Sequence, residues 1–211
     1  MRAPDGIPVV FGAAISNALE QAMPMARLQF LPEGHGDVSA LREGGIDLDI
    51  GAFRGRHPEI EIDLVASHRL VGAVRAKHPL ARLNVTAKRY AAERHVAVNL
   101  RQGETSTVDE ALESAGYARF IALQVPSAYA ALTAAVRSNL VATVTEPTAR
   151  AMQAGLGLHL FNLPFAVPAE PTVMAWHPRH GADVAHQWLR TCVKQVFADP
   201  KWIPPPIKGH A

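Results

Sequence analysis

The stretch Leu41-Arg42-Glu43-Gly44-Gly45-Ile46-Asp47-Leu48-Asp49-Ile50-Gly51 reads as a helix end, a tight turn and a buried strand that stops at glycine. Gly44 and Gly45 can both take the left-handed conformation that closes a helix without Cβ strain. Ile46, Leu48 and Ile50 then alternate with acidic residues at strand period. A strand that ends in glycine usually opens into a loop facing a ligand. Asp49 stands inside this strand, and a carboxylate buried there needs a partner that the sequence does not name.

Toward the N-terminus, Pro4-Asp5-Gly6 is a turn, Val9 to Met23 a mostly apolar helix stopped by Pro24, and Arg27 to Leu31 a strand. Asp37 is placed to cap the helix Val38 to Glu43. Beyond Gly51, Ile60 to Val65 alternates cleanly and Arg69 to Val74 is more continuously apolar, so antiparallel pairing of the two is expected. A second series follows: a short helix Val85 to Ala92, a strand His95 to Asn99, and a helix Val108 to Ser114 capped by Ser106 or Thr107. Then come a strand Ile121 to Val125, a helix from Pro126-Ser127 through Ser138, a strand Leu140 to Val144 and a helix Thr148 to Ala154. Strands Leu158 to Leu163 and Thr172 to Trp176 and a helix Val184 to Phe197 complete it. The tail with Pro204-Pro205-Pro206 reads as extended or disordered. Alternating strands and helices give an α/β fold with parallel sheets, in two series that suggest two lobes.

Composition narrows the function. A chain of 211 residues, 48% apolar and 19% charged, buries a full core as one large domain or two lobes. No apolar run reaches membrane-spanning length. A net charge of +2, scattered along the chain, does not make a nucleic-acid surface, which needs clustered cations. Cys192, the single cysteine, excludes an intramolecular disulfide and reads as a helical core residue. Asp5 and Pro8 interrupt any signal-peptide pattern in the apolar segment Ile7 to Ile15. The chain carries no nucleophile motif, Walker loop, dinucleotide fingerprint or His-Glu-x-x-His spacing. The expectation is therefore no enzyme, no cofactor and no metal.

Several short passages occur together in a set order. They are Leu41 through Gly51, His78-Pro79-Leu80-Ala81, Val108-Asp109 with Ala115-Gly116, Val125-Pro126-Ser127, Asn139 through Val144, and Trp176-His177-Pro178-Arg179 followed by Trp188-Leu189-Arg190. In that order the chain resembles the effector-binding domain of LysR-type transcriptional regulators, in the branch of nodulation and aromatic-catabolism regulators. The resemblance spans roughly residues 2 to 197. It implies the type 2 periplasmic binding protein fold: two Rossmann-like lobes, two crossover segments and a small effector in the cleft. Lobe I is expected over residues 1–70 plus 175–211 and lobe II over 71–174, with crossovers near Leu70 to Val74 and Thr172 to Trp176. The family's N-terminal winged helix-turn-helix is absent from this chain, which reads as an expressed fragment or a truncated product.

The resemblance also selects candidate effector contacts. Asp5 lies where the first-strand loop faces the effector, and either accepts from an inducer hydroxyl or caps the following helix. Phe53 forms an apolar wall or packs over the sheet. Asn99 and Thr105 belong to the loop after the first strand of lobe II, and Thr105 stands where the branch often has histidine. Ser127, at a helix N-terminus, donates to an effector oxygen, caps, or does both. Thr145 borders the cleft. Asp5, Asp49 and Glu146 all put carboxylates where an anion-binding site is not expected to have them.

The expected function is inducer sensing for a LysR-type regulator, with a periplasmic solute-binding protein of a transporter as the alternative. The partners implied are a small organic effector, a second copy of the chain or a tetramer in the full-length protein, and DNA only through the missing domain. The location implied is cytoplasmic, with no membrane contact. The apolar helices Val9 to Leu19 and Val184 to Phe197 are read as dimer-supporting surfaces.

Overall fold

The computed structural model describes residues 1–33, 38–52, 57–98 and 106–199. In chain order its elements are α1 (Gly6–Ala22), α2 (Ser39–Glu43), β1 (Asp49–Gly51), β2 (Glu61–His68), β3 (Leu70–Arg75), α3 (Ala87–Ala92), β4 (Arg94–Val98), α4 (Thr107–Ser114), β5 (Phe120–Val125), α5 (Ala128–Val136), β6 (Leu140–Thr145), α6 (Glu146–Leu156), β7 (Leu158–Asn162), β8 (Glu170–Trp176) and α7 (Val184–Ala198). They form two compact units. One holds Met1–Ser67 and the described residues from Pro171 onward, the other His68–Glu170.

In the first unit, α2 ends at Gly44, whose φ of 79° is the left-handed stop read from the sequence. Gly45 has no positive φ. Asp37, the expected cap, lies outside the described residues, and Val38 holds the N-cap position without a side-chain cap. Only Asp49–Gly51 of the expected strand forms a ladder, antiparallel to β8 with Ile50 opposite Met174. Just before it, Leu48 accepts from the Arg2 amide, and the Ile50 amide donates to the Arg2 carbonyl. Of the strand expected over Arg27 to Leu31, Leu31 alone pairs, again with Arg2. Chain Met1–Ala3 thus lies between two segments that come from far along the sequence.

This arrangement supplies the partner for Asp49. Arg2 donates to its Oδ2 from Nε at 3.1 Å and from Nη2 at 2.6 Å, and the two side chains are 7% and 12% exposed. Adjacent backbones in one sheet bring both charges to the same face, so the carboxylate inside the strand is neutralised where it stands.

The two apolar helices absorb each other. Phe11 and Phe197 stack with centroids 3.9 Å apart, and Val10, Ile15, Cys192 and Val193 are buried in the same core. That packing accounts for one apolar face of each helix, while Val9 and Val184 remain exposed.

The second unit is a five-stranded sheet in the order β5-β4-β6-β3-β7. β4 is parallel to β5 and β6, but β3 runs antiparallel to β6 and β7. The sheet is mixed rather than parallel as expected. The expected pairing of Ile60–Val65 with Arg69–Val74 is also corrected: β2 lies beside β8 in a three-stranded sheet, while β3 joins the other sheet. Continuity in sequence misled here, because the chain passes from one unit to the other between Ser67 and His68. It returns at Glu170/Pro171, so the strand Thr172 to Trp176 pairs inside the first unit.

Strand alternation distributes the core of this unit on two faces. Val71, Ala73, Ala142, Val144 and Leu160 pack with Ala131, Leu132 and Ala135 of α5. Val74, Val141 and Phe161 pack on the opposite face with Tyr90, Leu80 and Leu112. Gly72 is directly opposite Phe161 in the ladder, and the phenyl ring lies over it: a Cβ at Gly72 would fall 2.2 Å from the ring. His95 is fully buried; its Nε2 donates to the Tyr90 carbonyl at 2.9 Å and its Nδ1 has no partner. Burial is the main reason its pKa falls from 6.5 to about 4.

Three outcomes follow from this packing. Gly72→Ala must displace Phe161 and is expected to cost about 2 kcal/mol or more. Chemical denaturation of Gly72→Ala, Phe161→Leu and the double variant checks this, with a smaller penalty for the glycine change once the ring is gone. Arg2→Met leaves Asp49 buried and unpaired and is expected to lose about 3 kcal/mol, much of it recovered in Arg2→Met/Asp49→Leu. For His95, the unfolded imidazole takes up a proton below its ordinary value while the folded one refuses it. Stability is therefore complete above pH 6.5 and falls toward pH 4, by on the order of 3 kcal/mol for this group. His68 and His186, also lowered mainly by burial, act with the same sign. Urea midpoints measured across that range should slope less steeply in His95→Gln.

Candidate functional site

Strands β4, β5 and β6 point the same way, with Val98 opposite Val125 and Val96 opposite Ala142. Their carboxyl ends therefore share one sheet edge, and a helix N-terminus follows each. Such termini present unpaired amides and the positive end of the helix dipole. β4 is flanked by the strand that follows it on one side and by β6 on the other. In open α/β sheets that reversal is where a ligand crevice forms.

Each helix begins in its own way. Ser106 caps α4, accepting from Asp109 N at 3.4 Å. Ser127 caps α5, accepting from Ala130 N at 3.1 Å, and its hydroxyl proton remains available to donate. Thr145 occupies the N-cap of α6 without capping it; its Oγ1 is 3.0 Å from the Thr148 hydroxyl. Pro147 in the first turn of α6 removes one amide.

Two carboxylates at this edge, Glu146 and Asp109, are engaged by arginines, while Glu110 in the first turn of α4 is exposed. Glu146 takes Arg69 as a fork, Nε to Oε2 at 2.5 Å and Nη2 to Oε1 at 2.8 Å, and Arg150 on the other side at 2.9 Å. Burial pushes the Glu146 carboxyl up, but the hydrogen bonds from Arg69 and Arg150 outweigh it and hold the group below the usual carboxylate range. One carboxylate between two guanidinium groups leaves net positive charge, so Glu146 does not oppose an anion as its sequence position suggested. Asp109 is likewise held by Arg119, Nε to Oδ1 at 2.6 Å. The same guanidinium, 4% exposed, reaches the Ser106 and Tyr90 hydroxyls, and Tyr90 contacts the Thr143 hydroxyl at 2.7 Å. Arg119 thus ties the start of α4 to α3 and, through Tyr90, to β6.

Of the candidates named from sequence, Ser127 and Thr145 stand on this common edge. Asp5 belongs to the first unit, at the N-cap of α1, where it makes no side-chain cap hydrogen bond. Phe53, Asn99 and Thr105 lie outside the described residues. The arginines that hold these carboxylates are not among those candidates. Arg150 was legible, four residues after Glu146 on one helix; Arg69, 77 residues away, left no local signal. Among the described residues no group of three His, Cys, Asp or Glu side chains could hold a metal ion, and no helix is long and apolar enough to cross a membrane.

The chain is 27% identical over 197 residues to the transcriptional activator NagR of Ralstonia sp, covering 90% of this chain and 63% of that protein. A crystal structure of a probable transcriptional regulator from Pseudomonas aeruginosa superposes with a TM-score of 0.80 at 28% identity, over 92% of this chain and 64% of the other. The effector-binding domain of BenM, solved with its effector benzoate, shares the fold, with a TM-score of 0.75 at 21% identity over 99% of this chain and 96% of that one. The chain therefore spans less than two thirds of the curated relative's length. These likenesses support the two-lobe α/β fold class and give the transporter alternative no support. Residues 3–198 match the LysR substrate binding domain, and the chain belongs to that family.

Proposed function

We propose that the effector of this LysR-type domain is a small organic acid or a neutral hydrogen-bonding analogue, and that it docks at the carboxyl edge of β4, β5 and β6, with Ser127 and Thr145 among its contacts. The observation that carries this reading is the state of charge at that edge. Asp109 and Glu146 are held by arginines, and the first turn of α5 carries no acidic residue. A carboxylate or phenol at the start of α5 gains the Ser127 hydroxyl as donor and the helix dipole as support. Benzoate, the effector named for the BenM domain, has this chemistry and is the first compound to test.

In this reading the domain performs no reaction on its effector. Its output is a shift between two conformational states, set by the effector's difference in affinity for them. The whole protein acts as a cytoplasmic homodimer, and DNA is contacted by a part of it other than the residues described.

Thermal unfolding with rising benzoate is the direct test. A ligand present at a hundred times its dissociation constant stabilises the fold by about 2.7 kcal/mol, a clear rise in Tm. Ser127→Asp retains a side chain that caps α5 but places a carboxylate against the ligand. It is expected to keep the unliganded Tm and lose the benzoate response. No shift with benzoate, phenols, neutral lactones or shikimate, or an unchanged benzoate response in Ser127→Asp, overturns the proposal.

A further inference from the structure

Trp176 closes β8, and a 3-10 turn, Pro178–His180, leads through Asp183 into α7. At this corner of the first unit the His180 and His186 rings are stacked, with centroids 4.7 Å apart and planes 6° from parallel. The Arg190 guanidinium lies 4.5 Å over the Trp176 ring. Its Nη1 also donates to His186 Nδ1 at 2.6 Å and to the His180 carbonyl at 3.3 Å. On the far side of the ring, His186 Nε2 is 2.9 Å from the Asp47 carbonyl oxygen.

These two contacts fix the state of the His186 ring. A backbone carbonyl can only accept, and a guanidinium can only donate. Nε2 must therefore carry the proton, and Nδ1 must offer a lone pair. The neutral Nε2–H tautomer satisfies both nitrogens. A second proton can go only onto Nδ1, where it faces the permanently charged Arg190 at hydrogen-bond distance. Protonation removes the acceptor and sets two cations against each other in the same step.

We propose that His186 is a proton-operated latch: the neutral ring holds Arg190 over Trp176 and against the 3-10 turn, and protonation of Nδ1 expels Arg190 from both. The groups that face the ring come from three segments. The 3-10 turn contributes His180; α7 contributes Arg190 and the capping Asp183, whose Oδ1 accepts from His186 N; and the segment before β1 contributes Asp47. Burial lowers the His186 pKa most; the hydrogen bond to Asp47 works against it, while His180 and Arg190 lower it further. The latch therefore opens below the ordinary histidine value. What it releases is the end of β8, the strand by which the chain re-enters the first unit at Pro171.

The test uses the full chain with nitrogen-15 histidine and fluorinated tryptophan, followed by NMR from about pH 7.5 to about pH 5. Expected are an Nε2–H tautomer for His186 at the upper end, proton uptake at Nδ1 with a midpoint below the ordinary 6.5, and a Trp176 fluorine signal that moves with the same midpoint. The dispersed amide signals of β3 serve as a control against unfolding. His186→Gln keeps a donor for Asp47 and an acceptor for Arg190 but cannot take a proton, so the Trp176 transition at the His186 midpoint should be lost, leaving only the separate response to the adjacent His177. Arg190→Gln should raise the His186 midpoint by roughly one pH unit. An Nδ1–H tautomer in the unmodified protein, or a Trp176 transition at the His186 midpoint that persists in His186→Gln, overturns the latch. Those two readings decide it even where Arg190→Gln does not fold.

Discussion

Parallel strands cannot be joined by a tight turn; the chain must cross back over the sheet, and in this protein it does so through a helix each time. The constraint acts on β4, β5 and β6 together, because β4 is parallel to both neighbours. It forces α4 and α5 to run back along the sheet and to begin at the edge where the strands end. The candidate site follows from that direction alone: three helix N-termini share one edge before any side chain is considered. β3 and β7 complete the sheet from the other side, and the close approach of Gly72 to Phe161 fixes how they meet.

That edge would be useless to an anion if its carboxylates were free to repel it. The arginines alter the balance. Arg69 directly precedes β3 and reaches Glu146 at the first residue of α6, so the chain's entry into the second unit is pinned to the end of β6 by both a fork of hydrogen bonds and the contact of Glu146 N with the Arg69 carbonyl. Arg119 acts similarly at α4, holding Asp109 and the Ser106 cap from a buried position. Each arginine thus serves architecture and electrostatics at once, and a helix dipole that an acidic first turn would have cancelled remains usable at α5.

The parts legible in sequence were those decided by neighbours in the chain. The left-handed Gly44 and the Ser127 cap are local, and both read correctly. So did the strand of β6 and the helix of α7, although α6 begins at Glu146 rather than Thr148 because Pro147 fits the first turn of a helix. Pairing across distance was not legible. Alternation in Ile60–Val65 and continuity in Arg69–Val74 looked like a hairpin, yet nothing local marks a boundary between two units. Asp49 looked anomalous because its partner is Arg2, 47 residues earlier. The apolarity of α1 and α7 was real, and part of it is covered where Phe11 stacks on Phe197.

The buried histidines show how the same residue type can serve opposite ends. In His78, His95 and His186 one ring nitrogen faces a backbone carbonyl, of Asn139, Tyr90 and Asp47 in turn, so each ring is held as the Nε2–H tautomer when neutral. Their second nitrogens differ. His78 Nδ1 accepts from the Leu80 amide and stabilises a turn that lies inside the second unit. His95 Nδ1 has no partner, so its protonation meets chiefly the cost of charging a buried ring, with smaller opposition from Arg119 and His78. His186 Nδ1 holds a cation. There alone does the proton compete with a specific side chain, and a general loss of stability in acid becomes a local exchange between two positive groups.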